Sequence, residues 1–420
     1  MRRGLFLALA LTCAEAVSAQ DFTTLKGHGG PVMAIDVTPE GQVVTASFDN
    51  SVGLWTQRDP QWLEGHEAAV TVVLALPDGR IASGSDDFTV RLWDNVQSRV
   101  LGQHQGKVTA LARWGDWLAS GSWDGSVRLW PLQAGTPRDL PFPGGGVNDL
   151  TFGPDGALYV ATMTGDLLRY DPQGGAPLTM VRHGFGINEL AMGDGWIAYG
   201  AVDGGTRVVD AATGEALRDF TLDRRPILAM DHHPQAGLLA VGDGQGYIMM
   251  IDTRAWKITR DFRAARQGPV WALAFSPAGD VIHAGGIDDI GYSWPVALLD
   301  DFDPAMGQPR SFLRAAEGMS NGERQFMRKC SICHALEPGP SRKAGPTLHG
   351  IFGRDAGSLP EYTYSETLTT MRIRWSEQTI DALFDQGPDH YIPGSKMPMQ
   401  VISGAEDRAD LIAFLKAATQ

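Results

Sequence analysis

Residues 81–94 read Ile81-Ala82-Ser83-Gly84-Ser85-Asp86-Asp87-Phe88-Thr89-Val90-Arg91-Leu92-Trp93-Asp94, and residues 119–130 repeat the phrase as Ala119-Ser120-Gly121-Ser122-Trp123-Asp124-Gly125-Ser126-Val127-Arg128-Leu129-Trp130. Each copy is an alternating run, a tight turn carrying Asp, and a second alternating run closed by Trp. Alternation of apolar and polar residues is the period of a half-buried strand, so the phrase predicts a β-hairpin. Outward from it, Val70-Thr71-Val72-Val73-Leu74 supplies a further strand, and Pro77-Asp78-Gly79 supplies the turn between them.

The unit around this phrase runs from Gly65-His66 to Leu92-Trp93. It recurs as Gly27-His28 to Leu54-Trp55 and as His104 to Leu129-Trp130, with the closing Trp residues 38 and 37 apart. A period near forty residues marks an array in which each unit needs a neighbour to bury its apolar face. Four fainter units follow near 139–173, 180–215, 217–257 and 259–296, with Tyr170, Val208 and Ile251 where Trp is expected and Trp294 restoring it. Seven units predict a closed ring, and Phe22-Thr23-Thr24-Leu25 reads as the strand that closes it on the last unit.

These units resemble the WD40 family. The resemblance implies an all-β, seven-bladed propeller over residues 20–298. It also implies hydrogen bonding within a blade for His28, Asp49 and Trp55, for His66, Asp87 and Trp93, and for His104, Asp124 and Trp130. His232-His233 lies outside the repeat pattern, and adjacent strand residues point to opposite faces, which disfavours one ligand site for the pair.

At the N-terminus, Arg2 and Arg3 precede an apolar run from Leu5 to Leu11, and Val17-Ser18-Ala19 offers the small residues of a cleavage site. This predicts a cleaved signal peptide over residues 1–19, export, and a periplasmic location. The run falls short of the roughly twenty apolar residues a membrane span needs, so no stable span is expected after cleavage. Ala10-Leu11-Thr12 before Cys13 does not suit lipidation. Removal of Cys13 leaves Cys330 and Cys333 alone in the mature chain, which excludes a disulfide elsewhere.

The net charge of -14 is uneven: residues 1–303 hold 22 Lys and Arg against 36 Asp and Glu, and residues 304–420 hold 13 of each. An acidic body argues against nucleic acid, and it suits either a basic-surfaced protein partner or a solvated surface that aids solubility.

Past residue 298 the period changes. Residues 299–310 read as a linker and 311–420 as a small all-α domain. Ser320-Asn321-Gly322-Glu323 and Ser403-Gly404-Ala405-Glu406 are capping-box patterns that open helices at its two ends. The first helix delivers Cys330-Ser331-Ile332-Cys333-His334. Two thiols on one turn suit addition to the two vinyl groups of a haem, with the adjacent imidazole beneath the iron. Zinc needs further Cys or His ligands at similar spacing, and the chain has no second cysteine pair. A thioredoxin-like dithiol needs a βαβ context that this stretch lacks. The expected cofactor is one covalently bound haem c.

Gly345-Pro346-Thr347-Leu348-His349-Gly350-Ile351-Phe352-Gly353-Arg354, Tyr362-Thr363-Tyr364-Ser365 and Tyr391-Ile392-Pro393-Gly394-Ser395-Lys396-Met397 resemble a class I, mitochondrial-type cytochrome c over nearly the whole domain. The resemblance implies His334 and Met397 as axial iron ligands, with Met399 the rival to Met397. It implies Pro346 as the acceptor that orients His334, and Arg354, Tyr364 and Trp375 as the groups around the haem propionates. Phe326 and Phe414 are implied where the terminal helices cross.

A His/Met ligand pair leaves no open iron position, so the expectation is an electron carrier and not an enzyme, with the propeller docking a redox partner. Two other readings stand beside it. One is an oxidoreductase whose propeller binds a substrate or second cofactor and uses the haem as electron port. The other is a haem-holding sensor or scaffold with an open coordination position.

Overall fold

The computed structural model describes residues 22–171, 174–222, 226–265, 268–299 and 319–419, except positions 332, 340–342, 344, 363, 394, 396, 398 and 399. The expected signal peptide (1–19), the linker from residue 300 onward, the first residues of the C-terminal domain and Met399 lie outside the described residues.

Alternating β-branched and small polar residues give strands, and Gly-containing turns separate them. At Gly79 the backbone takes φ 84°, a left-handed value that only glycine adopts without strain, and its N–H bonds the Leu76 carbonyl at 3.0 Å. The result is seven four-stranded antiparallel sheets. Their innermost strands are Val32–Val37, Val70–Ala75, Val108–Trp114, Val147–Phe152, Ile187–Met192, Ile227–His233 and Val270–Phe275, and these pack side by side into a closed ring.

Six blades use consecutive strands. The seventh has three of its own and takes Thr23–Lys26 as its outer strand, paired antiparallel with Ile290–Pro295. N-terminal and last strands thus lock the ring. The closing strand begins one residue later than expected, and Phe22 packs its ring against Tyr292 and Trp294 instead.

Neighbouring blades share their apolar residues. Val44, Val52 and Leu63 of the first blade pack with Val70, Val73, Ile81 and Trp93 of the second, each such side chain contributing about 1.5–3 kcal/mol by burial. Polar side chains staple the inner strands together. Asp36 accepts from the Ala75 N–H, Asp149 from Leu190 and Asp231 from Phe275, each at 2.7 Å. Burial pushes the Asp36 carboxyl up to about 7 against these hydrogen bonds.

The expected structural groups meet within the first three blades. In the second, Trp93 Nε1 donates to Ser83 Oγ at 2.7 Å, Ser83 Oγ lies 2.7 Å from His66 Nε2, and His66 Nδ1 lies 2.8 Å from Asp87. Indole only donates and carboxylate only accepts, so the chain of donors runs in one direction from Trp93 to Asp87. The first blade repeats it through Trp55, Thr45, His28 and Asp49. In the third, Ser126 stands between His104 and Asp124.

Strand register corrects one expected position. Val209, not Val208, faces Ile197 as Trp55 faces Val43. That blade retains a His–Asp pair, His183 Nε2 to Asp203 at 2.9 Å, which the repeat pattern had not shown. In the seventh blade Trp294 is present, but Ala284 replaces the hydroxyl residue, and Trp294 Nε1 is buried without a hydrogen-bond partner. His232 and His233 diverge as neighbours on one strand must. His232 Nδ1 donates to the Met192 carbonyl and His233 Nε2 to that of Pro277.

The C-terminal part is helical: α1 (Asn321–Lys329), α2 (Glu366–Thr370), α3 (Glu377–Gln386), α4 (Pro388–Tyr391) and α5 (Ala405–Ala418). Ser320 caps α1, its side chain accepting from the Glu323 N–H. At α5 the expected Ser403 cap fails. Gly404 is the cap residue, and the Ser403 carbonyl accepts instead from Arg408 Nη1 at 3.2 Å, which holds Ser403 outside the helix. The full capping box is at α3, between Ser376 and Thr379.

Helices α1 and α5 cross at Gly322, where a Cβ would lie 2.1 Å from the Asp410 carbonyl oxygen. Phe326 and Phe414 meet there with ring centroids 5.4 Å apart. No helix among the described residues is long and apolar enough to cross a membrane.

Candidate functional site

Helix α1 ends in the turn that carries both thiols. The Cys330 N–H bonds Phe326, the Cys333 and His334 N–H groups both bond the Cys330 carbonyl, and Ser331 Oγ donates back to Met327. Cys330 and Cys333 therefore share one turn, and no disulfide joins them. Burial pushes the Cys330 thiol up to about 12 and that of Cys333 to about 11, so both are protonated.

Lys343 and residues 345–348 lie against this turn and are laced to it. Lys343 Nζ donates to the Ser331 carbonyl at 2.7 Å, the Gly345 N–H to Cys333 at 2.7 Å, and the Leu348 N–H to Ala335 at 2.9 Å. His334 Nδ1 donates to the Pro346 carbonyl at 2.8 Å. A carbonyl can only accept, so Nδ1 carries the proton and Nε2 keeps the lone pair of the neutral ring. Burial holds the His334 pKa below its ordinary value and favours that neutral form.

The remaining expected residues gather around the same core. Met397 packs against the apolar cluster that contains Cys330, as do Trp375 and Tyr391, and its N–H bonds Ser395 Oγ at 3.1 Å. Arg354 is half-buried and donates to the Thr347 and His349 carbonyls at 2.8 and 3.0 Å. Its backbone pairs with Trp375, whose N–H reaches the Arg354 carbonyl at 2.9 Å. Burial draws the Arg354 guanidinium below its ordinary value, and Tyr364 beside it acts in the opposite sense.

Three participants escape a reading of the sequence. Lys343 and Gly345 belong to the lacing of the turn. Tyr362 meets Tyr364 edge to face at 4.8 Å, and its phenol is pushed up to about 12 by burial, with Tyr364 and Cys333 adding to the effect. Gly345 and Tyr362 stand in the runs quoted above without a role assigned to them, and Lys343 leaves no trace.

The donor set fits a covalently held haem. Two protonated thiols sit on one turn, an imidazole nitrogen is unprotonated, and a thioether borders the same apolar core. Gly345 is part of the fit, because a Cβ there would lie 2.4 Å from His334 Cε1 and push the ring aside.

Comparison with known proteins agrees. The Cytochrome c family model matches residues 319–419, and the WD domain, G-beta repeat model matches residues 20–56, 60–94 and 95–131. Cytochrome c of Sesamum indicum is 43% identical over 111 residues, spanning 26% of this chain and 98% of the relative. That of Gossypium barbadense is 42% identical over 111 residues, with the same 26% and 98% coverage. That of Chlamydomonas reinhardtii is 39% identical over 110 residues, covering 26% and 97%. The cofactor is accordingly haem c. Through its C-terminal domain, carried behind a seven-bladed WD40 propeller, the chain belongs to the cytochrome c family.

Proposed function

We propose that the chain is an exported, periplasmic electron carrier holding one haem c, attached through Cys330 and Cys333 and ligated by His334 and Met397. The observation that carries this reading is the His334–Pro346 hydrogen bond, which presents an unprotonated Nε2 beside the two thiols. The single Cys-x-x-Cys-His motif supports one haem per chain. The signal-like first nineteen residues support export.

When bound, the haem supplies one-electron exchange at its iron. The protein's part is binding and orientation. Pro346 holds the imidazole and raises its basicity, and the cluster around Cys330 and Met397 excludes water. Arg354, Tyr364 and Trp375 take the propionate end. Two protein ligands leave no iron position for a substrate, which favours a carrier over a catalyst.

The propeller serves as the docking platform. Trp123, Met163 and Val202 stand at the same turn of three successive blades, and Phe142 and Phe185 lie in the adjoining loops, all five between 46% and 65% exposed. The Met163 sulfur and the Trp123 carbonyl flank Gly146, and the Met163 carbonyl and Val202 flank Gly186, so the patch is continuous. Contiguous exposed apolar surface of this kind marks interaction sites, and the acidic body around it favours a partner with a basic rim.

The ligand set is tested with Met397→Ala and Met399→Ala. In the ferrous state the first binds carbon monoxide and the second, like the parent, does not. Carbon monoxide binding by Met399→Ala alone overturns the assignment of Met397.

A further inference from the structure

Met397 stands between two residues that are tied down, Ile392 and Ile402, both buried in the cluster against which it packs. On the near side the Ile392 N–H bonds the Pro388 carbonyl at 2.8 Å, and the Ile392 carbonyl accepts from the Ser395 N–H at 3.0 Å. On the far side the Ile402 N–H bonds the Phe384 carbonyl of α3 at 2.9 Å.

The far anchor has a charged fastening as well. Arg408, near the start of α5, is buried, and its guanidinium reaches two elements at once. Nη1 donates to the Ile402 carbonyl at 2.8 Å and to the Ser403 carbonyl at 3.2 Å. Nε donates to Asp381 of α3 at 2.8 Å, and Nη1 lies 3.0 Å from Asp385 one turn further along. Ile402 is therefore gripped at both its polar groups, its N–H by Phe384 and its carbonyl by an arginine paired to the same helix. A planar fork of donors holds several acceptors in fixed relation, and hydrogen bonds from a charged donor are roughly twice as strong as neutral ones.

A thioether gives up its place to another ligand when the chain that carries it shifts, and the shift is limited by how firmly the two ends are held. We propose that Arg408 is a positioning residue for Met397: by clamping Ile402 and Ser403 to α3 it keeps the thioether at the iron and suppresses the state in which another ligand replaces it. This rests on the reading of Met397 as an axial ligand. An arginine that only joined α3 to α5 would stabilise the domain and leave that exchange unaltered.

The apparent affinity of an external ligand scales with the fraction of molecules in which Met397 is displaced, so imidazole titration of the ferric, full-length holoprotein reads that fraction. The variants are Arg408→Met and the double variant Asp381→Asn/Asp385→Asn, which keeps the guanidinium and weakens its hold on α3. The control is Asn321→Ala, which removes an amide donating to Asp407 and Asp410 of α5 at 2.8 Å each and touches neither Ile402 nor Ser403. Imidazole is expected to bind Arg408→Met about tenfold or more tightly than the parent, and the double variant about threefold or more. Asn321→Ala stays within about twofold of the parent, although it melts lower. An unchanged affinity in Arg408→Met, or in the double variant if Arg408→Met does not retain haem, overturns the inference, as does an Asn321→Ala variant that gains as much. A parent that binds imidazole as tightly as Met397→Ala refutes Met397 as a ligand, a separate failure.

Discussion

The Pro346 carbonyl fixes the imidazole of His334 through a 2.8 Å hydrogen bond to Nδ1, and Gly345 beside it leaves the ring its space. Gly345→Ala places a Cβ 2.4 Å from His334 Cε1. The ring must then turn away from Pro346, and covalent haem per chain, measured by pyridine haemochrome, is expected to fall several-fold. Full haem content with an unaltered visible spectrum contradicts this.

In the seventh blade Trp294 Nε1 is buried beside Ala284, at the place where Ser83 accepts from Trp93 in the second blade. Ala284→Ser supplies the missing acceptor. An unsatisfied buried donor costs about 1–3 kcal/mol, so the propeller's melting temperature is expected to rise by about 2 °C or more. A fall contradicts the assignment.

Ser83→Ala is the converse. It strips the acceptor from Trp93 and the partner from His66 in one change. The expected loss is about 2–4 kcal/mol by urea unfolding. A loss below about 0.5 kcal/mol shows that the donor chain does not support the blade.

His283 is buried against Ser293, and burial lowers its pKa to about 4 from 6.5. Below pH 6.5 the unfolded chain takes up a proton that the folded ring refuses until about pH 4, so this contribution to stability is lost as pH falls through that window. His283→Gln does not titrate. The stability of the parent relative to His283→Gln should therefore shrink from pH 7 to pH 4.5, as read by melting temperature. A constant difference across that range contradicts the buried neutral imidazole.

The first three blades were legible because Trp, His, Asp and a hydroxyl residue recur at fixed offsets, set by one chain of hydrogen bonds. Where that chain is broken the offsets hold less tightly, and one of the four later positions slips. In the fifth blade Tyr199 stands where the hydroxyl residue belongs, and His183 meets Asp203 through Nε2 instead of Nδ1. There the register could be read only to within one residue, which is why Val208 was expected and Val209 found.

At the site, the thiols and the imidazole were legible because their chemistry demands particular residue types at close spacing, whereas Met397, 63 residues beyond His334, rests on the resemblance of the run Tyr391 to Met397 alone. Lys343 was not legible, since a lysine reaching a carbonyl twelve residues away follows no period. The Ser403 pattern misled because Arg408 claims the carbonyls of Ile402 and Ser403, a tertiary contact that outweighs the local capping preference.

The proposed function turns on a single six-coordinate haem c that carries electrons. Pyridine haemochrome quantitation of natively matured protein, combined with carbon monoxide titration of its ferrous form, tests it most directly. One haem c per chain and a ferrous spectrum unmoved by carbon monoxide are the results predicted, and ready carbon monoxide binding or a second chromophore would contradict it.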